Sequence, residues 1–535
     1  MKVQSFLIAL TTTLLVLFEL AFSSGTVQAL DDPTNVRSPK ETIERTAKFF
    51  PKESELTFHW IADPSKTPKY VESITNNQPD QDGLESLKSL RNGLFALAGL
   101  DFENELAEWI DPGMSFALFN LNETEPGFQW VMALTSSKKN SAKHFLERFW
   151  LQEYLQGEDI NIKEYRGVSF IKSNQFKNTS NYKPLVTALI DDTMILIASD
   201  EATLKTSLNV SQFDDQNKAA DKHLKDKSEQ LINGLALITL SPKALHSVLD
   251  FPNEIISQHD FSEFIVSFSQ NKNNLILDGT LELQRTGIKI EQQTNELEQS
   301  LLTAKTGPAE GLGIIYSPYK LLNEAKHDPF RHLIAKLISD KLEGTKSLAA
   351  KTILALNKQT LIWIKEPDGW VIGTHEESPF VSNVKEVMIQ DNQFKSNLLI
   401  GGEEFEVWSK LITKKINKDD KIETQFGVIR SKESGNDWWG QNLAALQERQ
   451  KEGLQFREKQ LEELNPNYKN SRAVQLALNE KYAQELLRNW RPWRILHSIS
   501  GGSLKTLVKG LAISLDSELA SEDSNVKLRA SLQIA

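Results

Sequence analysis

The chain of 535 residues contains no cysteine, and this absence removes several chemistries at once. Disulfide bonds, cysteine nucleophiles, iron–sulfur clusters and cysteine-ligated zinc all require the thiol. Positive charge is also in short supply, because 61 Lys and Arg stand against 72 Asp and Glu, for a net charge of −11. Nucleic-acid binding depends on a basic surface, so the composition argues against a nucleic-acid partner.

The sequence also lacks the common catalytic motifs. It has no Gly-x-Ser-x-Gly nucleophile elbow and no Walker-type phosphate-binding loop. The acidic stretch "LDFENELAEWIDPGMSFALF" (100–119) has no glycine where a calcium-binding loop must turn, and its apolar residues follow helical spacing. We therefore expect no metal, no cofactor and no catalytic residue. Glu105 and Glu108 are the candidates for the alternative of a carboxylate-dependent hydrolase.

Long hydrophobic runs are confined to the N-terminus. Met1 and Lys2 precede an apolar stretch from Phe6 to Phe22, and Val27 and Ala29 are the small residues expected before a cleavage site. Residues 1–29 therefore predict a secretory signal peptide. A retained membrane anchor is the alternative, since about 17 apolar residues is near the lower limit for a span. The protein is expected to be exported to the periplasm or the thylakoid lumen, or held at the membrane by this segment.

Strand and helix patterns alternate after a polar linker at residues 30–42. Between residues 129 and 210 the order is β-α-β-β-α, with a hairpin turn at Asp191-Asp192 and a helix N-cap at Asp200. This order predicts an α+β fold in which helices pack on one face of an antiparallel sheet.

Two segments late in the chain are similar to earlier ones. Residues 311–325, "GLGIIYSPYKLLNEA", are similar to residues 234–248, and residues 360–377, "TLIWIKEPDGWVIGTHEE", are similar to residues 115–137. The similarity predicts two related modules, at residues 43–298 and 299–535.

A helical hairpin is predicted inside the second module. Residues 438–468 and 471–490 both have apolar side chains near helical spacing, and Asn465-Pro466-Asn467 separates them. The pattern places this hairpin at about residues 438–490, with a charged surface that suits solvent or a partner.

The end of this region carries a cluster of cations and indoles, "RNWRPWR". Tryptophan and arginine together are typical of protein-binding hot spots and of lipid headgroup layers. The alternative is that the cations complement a helix C-terminus while the indoles fill the core. The candidate binding residues are Arg488, Trp490, Arg491, Trp493 and Arg494.

Four segments together resemble an uncharacterised, domain-of-unknown-function family of exported bacterial α+β proteins common in cyanobacteria. They are residues 99–119, 165–173 ("YRGVSFIKS"), 188–208 ("ALIDDTMILIASDEATLKTSL") and 234–245 ("GLALITLSPKAL"). Gly99-Leu100-Asp101, Trp109 and Gly113 match the family's pattern, with Asp111-Pro112 inserted before the glycine. The likeness covers roughly residues 45–290. It implies an exported α+β protein and supplies no catalytic residues.

Together these observations predict a non-catalytic exported protein that acts by binding a partner protein or a membrane surface. A carrier of an apolar ligand, held between sheet and helices, is the first alternative. The hydrolase is the second.

Overall fold

The computed structural model describes the chain from Pro39 to Ile534 with gaps. The residues outside the description are 1–38, 62–101, 108, 111–112, 121–128, 137, 139, 174–185, 232–233, 250, 258–260, 272–273, 284–308, 324–330, 337, 339–346, 376–379, 417–418, 450–454, 465–471, 491–492, 495–507, 519–524 and 535. The predicted signal segment and Arg491 therefore lie outside the described residues. Within the described part, no helix has both the length and the apolar character needed to cross a membrane.

The described residues form twenty strands. The first ten are β1 (Leu56–Trp60), β2 (Met114–Asn120), β3 (Gln129–Thr135), β4 (Ile160–Tyr165), β5 (Val168–Ser173), β6 (Val186–Ile190), β7 (Met194–Ala198), β8 (Gly234–Leu240), β9 (Phe261–Asn271) and β10 (Asn274–Leu283). The others are β11 (Gly311–Ile315), β12 (Leu361–Glu366), β13 (Gly369–His375), β14 (Phe394–Ile400), β15 (Glu403–Ile416), β16 (Asp419–Glu433), β17 (Asn436–Gly440), β18 (Arg472–Asn479), β19 (Val508–Glu518) and β20 (Asn525–Ile534).

Twelve α-helices can be given bounds in the described segments. The first six are α1 (Pro39–Ala47), α2 (Ser141–Leu155), α3 (Glu201–Val210), α4 (Lys222–Gln230), α5 (Pro242–Leu249) and α6 (Asn253–Ile256). The other six are α7 (Pro318–Asn323), α8 (Leu348–Leu356), α9 (Phe380–Gln390), α10 (Leu443–Arg449), α11 (Gln455–Leu464) and α12 (Glu480–Asn489). The α+β class predicted from the sequence is confirmed.

All twenty strands join one antiparallel sheet. Their order across it is β4-β5-β6-β7-β3-β2-β1-β8-β9-β10-β20-β19-β18-β11-β12-β13-β17-β16-β15-β14. The centre is the pairing of β10 with β20, which runs in register from Asn274 opposite Gln533 to Glu282 opposite Asn525. The strands β4 and β14 lie at the two edges.

Local chemistry explains several of these elements. Asp200 caps α3, since its Oδ1 accepts a hydrogen bond from the Thr203 backbone N–H at 2.8 Å. The turn between β6 and β7 has positive φ at Asp191 and Asp192, 48° and 56°, as the favoured hairpin turns require. Both features were predicted from the sequence and are confirmed.

The acidic stretch that begins at Leu100 forms a short π-helical turn, Phe102–Leu106, before β2. Leu106, Trp109 and Ile110 are buried, and the ring of Trp109 lies 5.0 Å from that of Phe145 in α2. The tryptophan therefore anchors this turn in the core. The side chains of Glu105 and Glu108 lie outside the described residues.

Helices cover both faces of the sheet, so the prediction of helices on one face is wrong. Successive side chains of a strand point to opposite faces. In β2, Phe116 packs in the core with Phe145 of α2, whereas the Ser115 hydroxyl lies 2.6 Å from that of Thr46 in α1. A separate apolar core lies on the opposite face of the sheet, and it contains Leu204 of α3. Alternating apolar residues on both faces of buried strands explain why two layers of helix are needed.

The predicted helical hairpin at about 438–490 is also wrong. Residues 436–440 form β17, and residues 472–479 form β18, which pairs with β11 on one side and β19 on the other. The helices among the described residues of this region are α10, α11 and α12. The sequence "RAVQLALN" has apolar residues that fit both a helix and a strand, and hydrogen bonds to two neighbouring strands decide for the strand.

Strand β17 anchors the core of the second half with two adjacent tryptophans. Trp438 and Trp439 are fully buried and point to opposite faces. The guanidinium of Arg449 lies 4.0 Å from the Trp438 ring centroid, and that of Arg430 lies 5.1 Å from the Trp439 ring. Each buried arginine also has a carboxylate partner, Glu433 for Arg449 and Asp437 for Arg430. Cation–π contacts of this kind are strongest where water is excluded.

Candidate functional site

A charged groove of about 740 Å³ lies beside α12, where this helix leaves β18. We call it the α12 groove and define it by its lining residues, Arg457, Asn479, Glu480, Lys481, Gln484, Glu485, Arg488 and Lys509. Helix α12 begins here because Asn479 caps it, its Oδ1 accepting a hydrogen bond from the Tyr482 N–H at 3.1 Å. The cap fixes the direction of the helix, and with it the side of the groove that carries Arg488.

Ion pairs hold two of the four cations of the groove. Lys481 Nζ lies 3.3 Å from Glu310 Oε1, and this hydrogen bond raises the pKa of the lysine. Lys509 Nζ lies 3.4 Å from Glu480 Oε1. Gln484 then ties the helix to the sheet, since its amide donates to the Val508 carbonyl at 3.1 Å. The wall of the groove is therefore a fixed network rather than a set of free side chains.

Arg457 is held in a different way. Its guanidinium donates to the carbonyls of Ala309 and Leu478, at 3.4 and 3.2 Å, and to Gln460 Oε1 at 2.5 Å. Burial lowers the pKa of Arg457 from its usual value. All of these acceptors are neutral oxygens, so the positive charge in the first turn of α11 is oriented but not neutralised by them. Such a charge attracts an anionic group.

The five residues of the cation–indole cluster do not form one site. Arg488 is exposed, lines the groove and has no ion pair with any residue that the structure describes. Trp493 is buried in the core, and Trp490 is half-buried with its indole N–H donating to the Leu249 carbonyl at 3.2 Å. Arg494 is exposed outside the groove lining. The indoles thus stabilise the fold, and Arg488 is the described member that faces the groove.

Sequence reasoning missed Arg457, Lys481 and Lys509, since they lie on α11, α12 and β19 and are far apart in the chain. No local motif joins them, although the spacing of Lys481 and Arg488 on one amphipathic helix was a usable signal. The lining has four cations and two carboxylates, and Glu310 beside it pairs with Lys481, in a chain whose net charge is −11. The groove can therefore bind an anionic group by charge-assisted hydrogen bonds.

A serine and a histidine also lie within hydrogen-bond distance of each other. Ser115 Oγ is 2.9 Å from His59 Nδ1, and both side chains are buried beneath α1. The other ring nitrogen, Nε2, has no hydrogen-bond partner among the described residues. A nucleophile must reach its substrate, and this hydroxyl is closed off by the core, so the pair has a structural role.

Glu366, at the end of β12, is a fully buried carboxyl group close to Glu310, the ion-pair partner of Lys481. Neither of its carboxyl oxygens has a hydrogen-bond partner among the described residues. Burial, followed by the negative charges of Glu448 and Glu310, raises the pKa of Glu366 from 4.5 to about 7. The protonated form is favoured in the folded protein, because an ionised carboxylate here would be neither solvated nor paired.

Replacing Glu366 by Gln is expected to stabilise the protein at pH 8 and to have little effect at pH 5. The pKa of Glu366 is higher in the folded protein than in the unfolded chain. Its contribution to the stability of the parent is therefore fully present below pH 4.5 and is lost as the pH rises through 7. A rise of this size corresponds to about 3 kcal/mol at most, and the unpaired amide of Gln reduces the gain to about 1–3 kcal/mol. Urea unfolding at both pH values measures it.

The matched control for this prediction is Glu164→Gln, which changes an exposed glutamate in β4. Its unfolding free energy is expected to follow that of the parent at both pH values. A Glu366→Gln protein whose stability relative to the parent does not change between pH 5 and pH 8 would contradict the assignment.

No cluster of three or more metal-ligating side chains occurs among the residues that the structure describes. The fold and the groove define an α+β protein with one long antiparallel sheet and a polar, cation-rich groove. Comparison with known families then places the chain. It matches a family described as a protein of unknown function, DUF3352, over residues 9–532, and it belongs to that family. This confirms the resemblance to a domain-of-unknown-function family that was inferred from the sequence.

Other comparisons add little. No curated protein matches the chain. Among solved structures, crystal form I of TP0453 is similar with 6% identity and a TM-score of 0.27, covering 46% of this chain and 81% of that chain. Crystal form III of TP0453 gives 8% identity and a TM-score of 0.26, covering 50% and 88%. Likenesses of this size support no argument about fold or function.

Proposed function

We propose that the protein is a non-catalytic binding protein whose α12 groove holds an acidic segment of a partner protein. The observation that carries the proposal is the cation-rich groove, in which Arg457 donates to neutral oxygens of the chain and Arg488 is exposed without an ion pair to any described residue. Charged and polar groups supply its lining, so it favours an anionic ligand over the apolar ligand of the carrier alternative.

A protein segment fits the groove better than a small anion does. The lining includes Glu480 and Glu485 beside the four cations. A bare phosphate or sulfate would be repelled by these carboxylates, whereas a peptide can place acids against the cations and a donor against the glutamates. A volume of about 740 Å³ also has room for several side chains.

The proposal includes two related modules, β1 to β10 and β11 to β20. The order β4-β5-β6-β7-β3-β2-β1-β8-β9-β10 has the same form as β14-β15-β16-β17-β13-β12-β11-β18-β19-β20. Each strand of the first set then corresponds to the strand ten places later, and the antiparallel pair β10–β20 lies on the local twofold axis. The ends of the corresponding helices α5 and α12 meet there, through Trp490 and Leu249. The boundary predicted at residue 298 falls between β10 and β11.

One of the two sequence similarities supports this correspondence. Residues 115–137 and 360–377 contain β2–β3 and β12–β13, which occupy equivalent places. The other similarity aligns β8 with β11 and does not support the correspondence. By strand order, β8 is equivalent to β18, and β11 is equivalent to β1. We infer that the order of strands, rather than sequence likeness, is the better support for duplication.

The place of action in this proposal is outside the cytoplasm, in the periplasm or the thylakoid lumen. The signal-like layout of residues 1–29 supports export, and the absence of cysteine suits a protein stabilised by packing alone. The segment is either cleaved or retained as an anchor, and the groove serves the same role in both cases.

The test is affinity capture of a C-terminally tagged chain from gently solubilised native membranes and from the soluble fraction, followed by mass spectrometry. Parent protein is expected to recover a stoichiometric partner. The double variant Lys481→Gln/Arg488→Gln changes two exposed groove cations and is expected to lose at least 90% of the partner, roughly tenfold for a loss of one to two kcal/mol of charge-assisted bonding. Higher salt should weaken capture in the same direction.

Arg494→Gln is the matched control, because it removes an exposed cation that follows α12 in the chain and lies outside the groove. It should recover the partner as the parent does. The proposal fails if the double variant, folded by circular dichroism, retains the partner fully, or if the parent recovers none from either fraction.

A further inference from the structure

An uncovered apolar face lies at the edge of the sheet formed by β14, β15 and β16. Three of its side chains are largely exposed, Leu411 by 62%, Ile422 by 72% and Phe426 by 62%. Phe394 and Leu398 in the edge strand are exposed to a smaller degree. Isolated exposed apolar residues are ordinary, but a contiguous group marks a contact surface.

The strand register places these residues on one face. Ser409 of β15 lies opposite both Phe394 of β14 and Phe426 of β16. Leu411 follows Ser409 by two residues, and Ile422 lies opposite Thr413, two residues further. Directly opposed residues share a face and alternate residues return to it, so the four apolar side chains form one stripe.

The reverse face of β15 and β16 at this end is mostly polar, although Ile412 of β15 and Leu399 of β14, which is 76% exposed, also lie on it. Lys410 lies opposite Gln425, and Ile412 lies opposite Glu423. Lys410 also forms an ion pair with Asp391 at 3.1 Å. This end of the sheet is therefore amphipathic, with its polar face supported by the protein and its apolar face open.

The covering helices end before the apolar stripe begins. On the same face, Phe405, Val407 and Ile429 are buried in the core that contains Leu446 of α10 and Leu461 of α11. From Ser409 outwards the exposed fractions rise sharply. The stripe therefore continues the face that α10 and α11 cover, beyond the point where these helices end. It lies mainly on β15 and β16, the two longest strands of the described sheet.

Charge decides which occupant suits this face. Between Leu411 and Ile422 the sequence has four lysines and two aspartates, in a chain whose net charge is −11. A net-positive segment of sequence between exposed apolar residues matches an anionic lipid surface, which receives apolar groups at its headgroup boundary and attracts cations. A second copy of the chain would bring two segments with the same net positive charge together, which costs free energy.

We propose that the apolar face made by Phe394, Leu411, Ile422 and Phe426 docks on an anionic lipid surface. The N-terminal apolar segment, Phe6 to Phe22, is consistent with a protein delivered to the membrane. This surface is separate from the α12 groove, so a membrane contact here leaves the groove free for its partner. Failure of either proposal leaves the other standing.

The test is co-sedimentation with vesicles. Every described element follows residue 38, so the chain from Leu30 to Ala535 contains the whole described fold and lacks the N-terminal apolar segment. This chain is expected to bind vesicles of phosphatidylcholine with 30% phosphatidylglycerol and to bind vesicles of phosphatidylcholine alone at least tenfold more weakly. The triple variant Leu411→Thr/Ile422→Thr/Phe426→Thr, which keeps strand propensity, is expected to lose at least tenfold in partition to the anionic vesicles.

Leu151→Ser/Leu155→Ser is the matched control, since it removes exposed apolar side chains from α2 at the opposite edge of the sheet. Its partition should equal that of the parent. Absence of parent binding to anionic vesicles, or equal binding by the triple variant, overturns the proposal. A parent dimer in light scattering that the triple variant converts to monomer, without any vesicle binding, would assign the face to a second copy instead.

Discussion

Replacing Lys218 by Met is expected to lower the free energy of unfolding by about 3–5 kcal/mol, because it leaves buried carboxylates without a counter-charge. Lys218 is almost completely buried, and its Nζ lies 2.9 Å from Asp221 Oδ2 and 2.5 Å from Glu263 Oε1. Burial opposes the charged lysine, but the charges of Glu263 and Asp221 outweigh it and keep its pKa above the usual value. Urea unfolding followed by circular dichroism measures the loss.

Two further variants separate the buried charge from simple packing. Met keeps the apolar stem of the lysine, so a large loss reflects the charge. Glu263→Gln combined with Lys218→Met should recover much of the stability, since burial already raises the pKa of Glu263 and Gln removes its charge. Lys40→Met is the control, as it breaks the ion pair with Glu229 at 2.6 Å on the exposed surface. A Lys218→Met protein no less stable than Lys40→Met would contradict the prediction.

Acidification is expected to destabilise the protein through His59, and replacing this residue by Leu is expected to remove that contribution. Burial, followed by the positive charge of Lys218, lowers the pKa of His59 from 6.5 to about 3. The folded-state pKa is depressed, so below pH 6.5 the unfolded chain binds a proton that the folded protein does not. Stability is present above pH 6.5 and is lost as pH falls towards 3, by about 5 kcal/mol in full.

The measurement is the free energy of unfolding of parent and His59→Leu between pH 7.5 and 4.5. Below pH 6.5 the parent should lose about 1.4 kcal/mol per pH unit more than the variant, or about 3 kcal/mol at pH 4.5. His144→Gln changes an exposed histidine of α2 and should follow the parent throughout. Equal pH slopes for parent and His59→Leu would show that His59 does not remain neutral in the fold.

Local patterns predicted many elements correctly because the decisive interactions are close in sequence. The N-cap at Asp200 needs only an oxygen and the backbone three residues on. The turn at Asp191-Asp192 needs residues that tolerate positive φ. Strand β18 failed as a prediction for the opposite reason. Its backbone bonds go to β11 and β19, which lie more than 150 residues earlier and about 30 residues later in the chain, so nothing local decides between helix and strand.

The candidate site was predicted only in part for the same reason. Arg488 was identified because it stands in a local cluster, but the indoles beside it are fixed by tertiary contacts, Trp493 in the core and Trp490 on the Leu249 carbonyl. Arg457 joins the groove only because α11 packs across the ends of β11 and β18. The role of a charged side chain on a helix cannot be inferred until its ion-pair partners in the folded protein are known.

The sequence by itself determined the chemistries that are excluded, the α+β class, the family resemblance and the elements whose signals are local. Composition and short-range hydrogen bonding are properties of residues and their immediate neighbours, and these survive without a fold. Tertiary structure alone decided the order of the strands, the helical layers on both faces, the α12 groove and the unpaired burial of Glu366. Each of these depends on long-range pairing and on exclusion of water, which bring together residues that the chain keeps far apart.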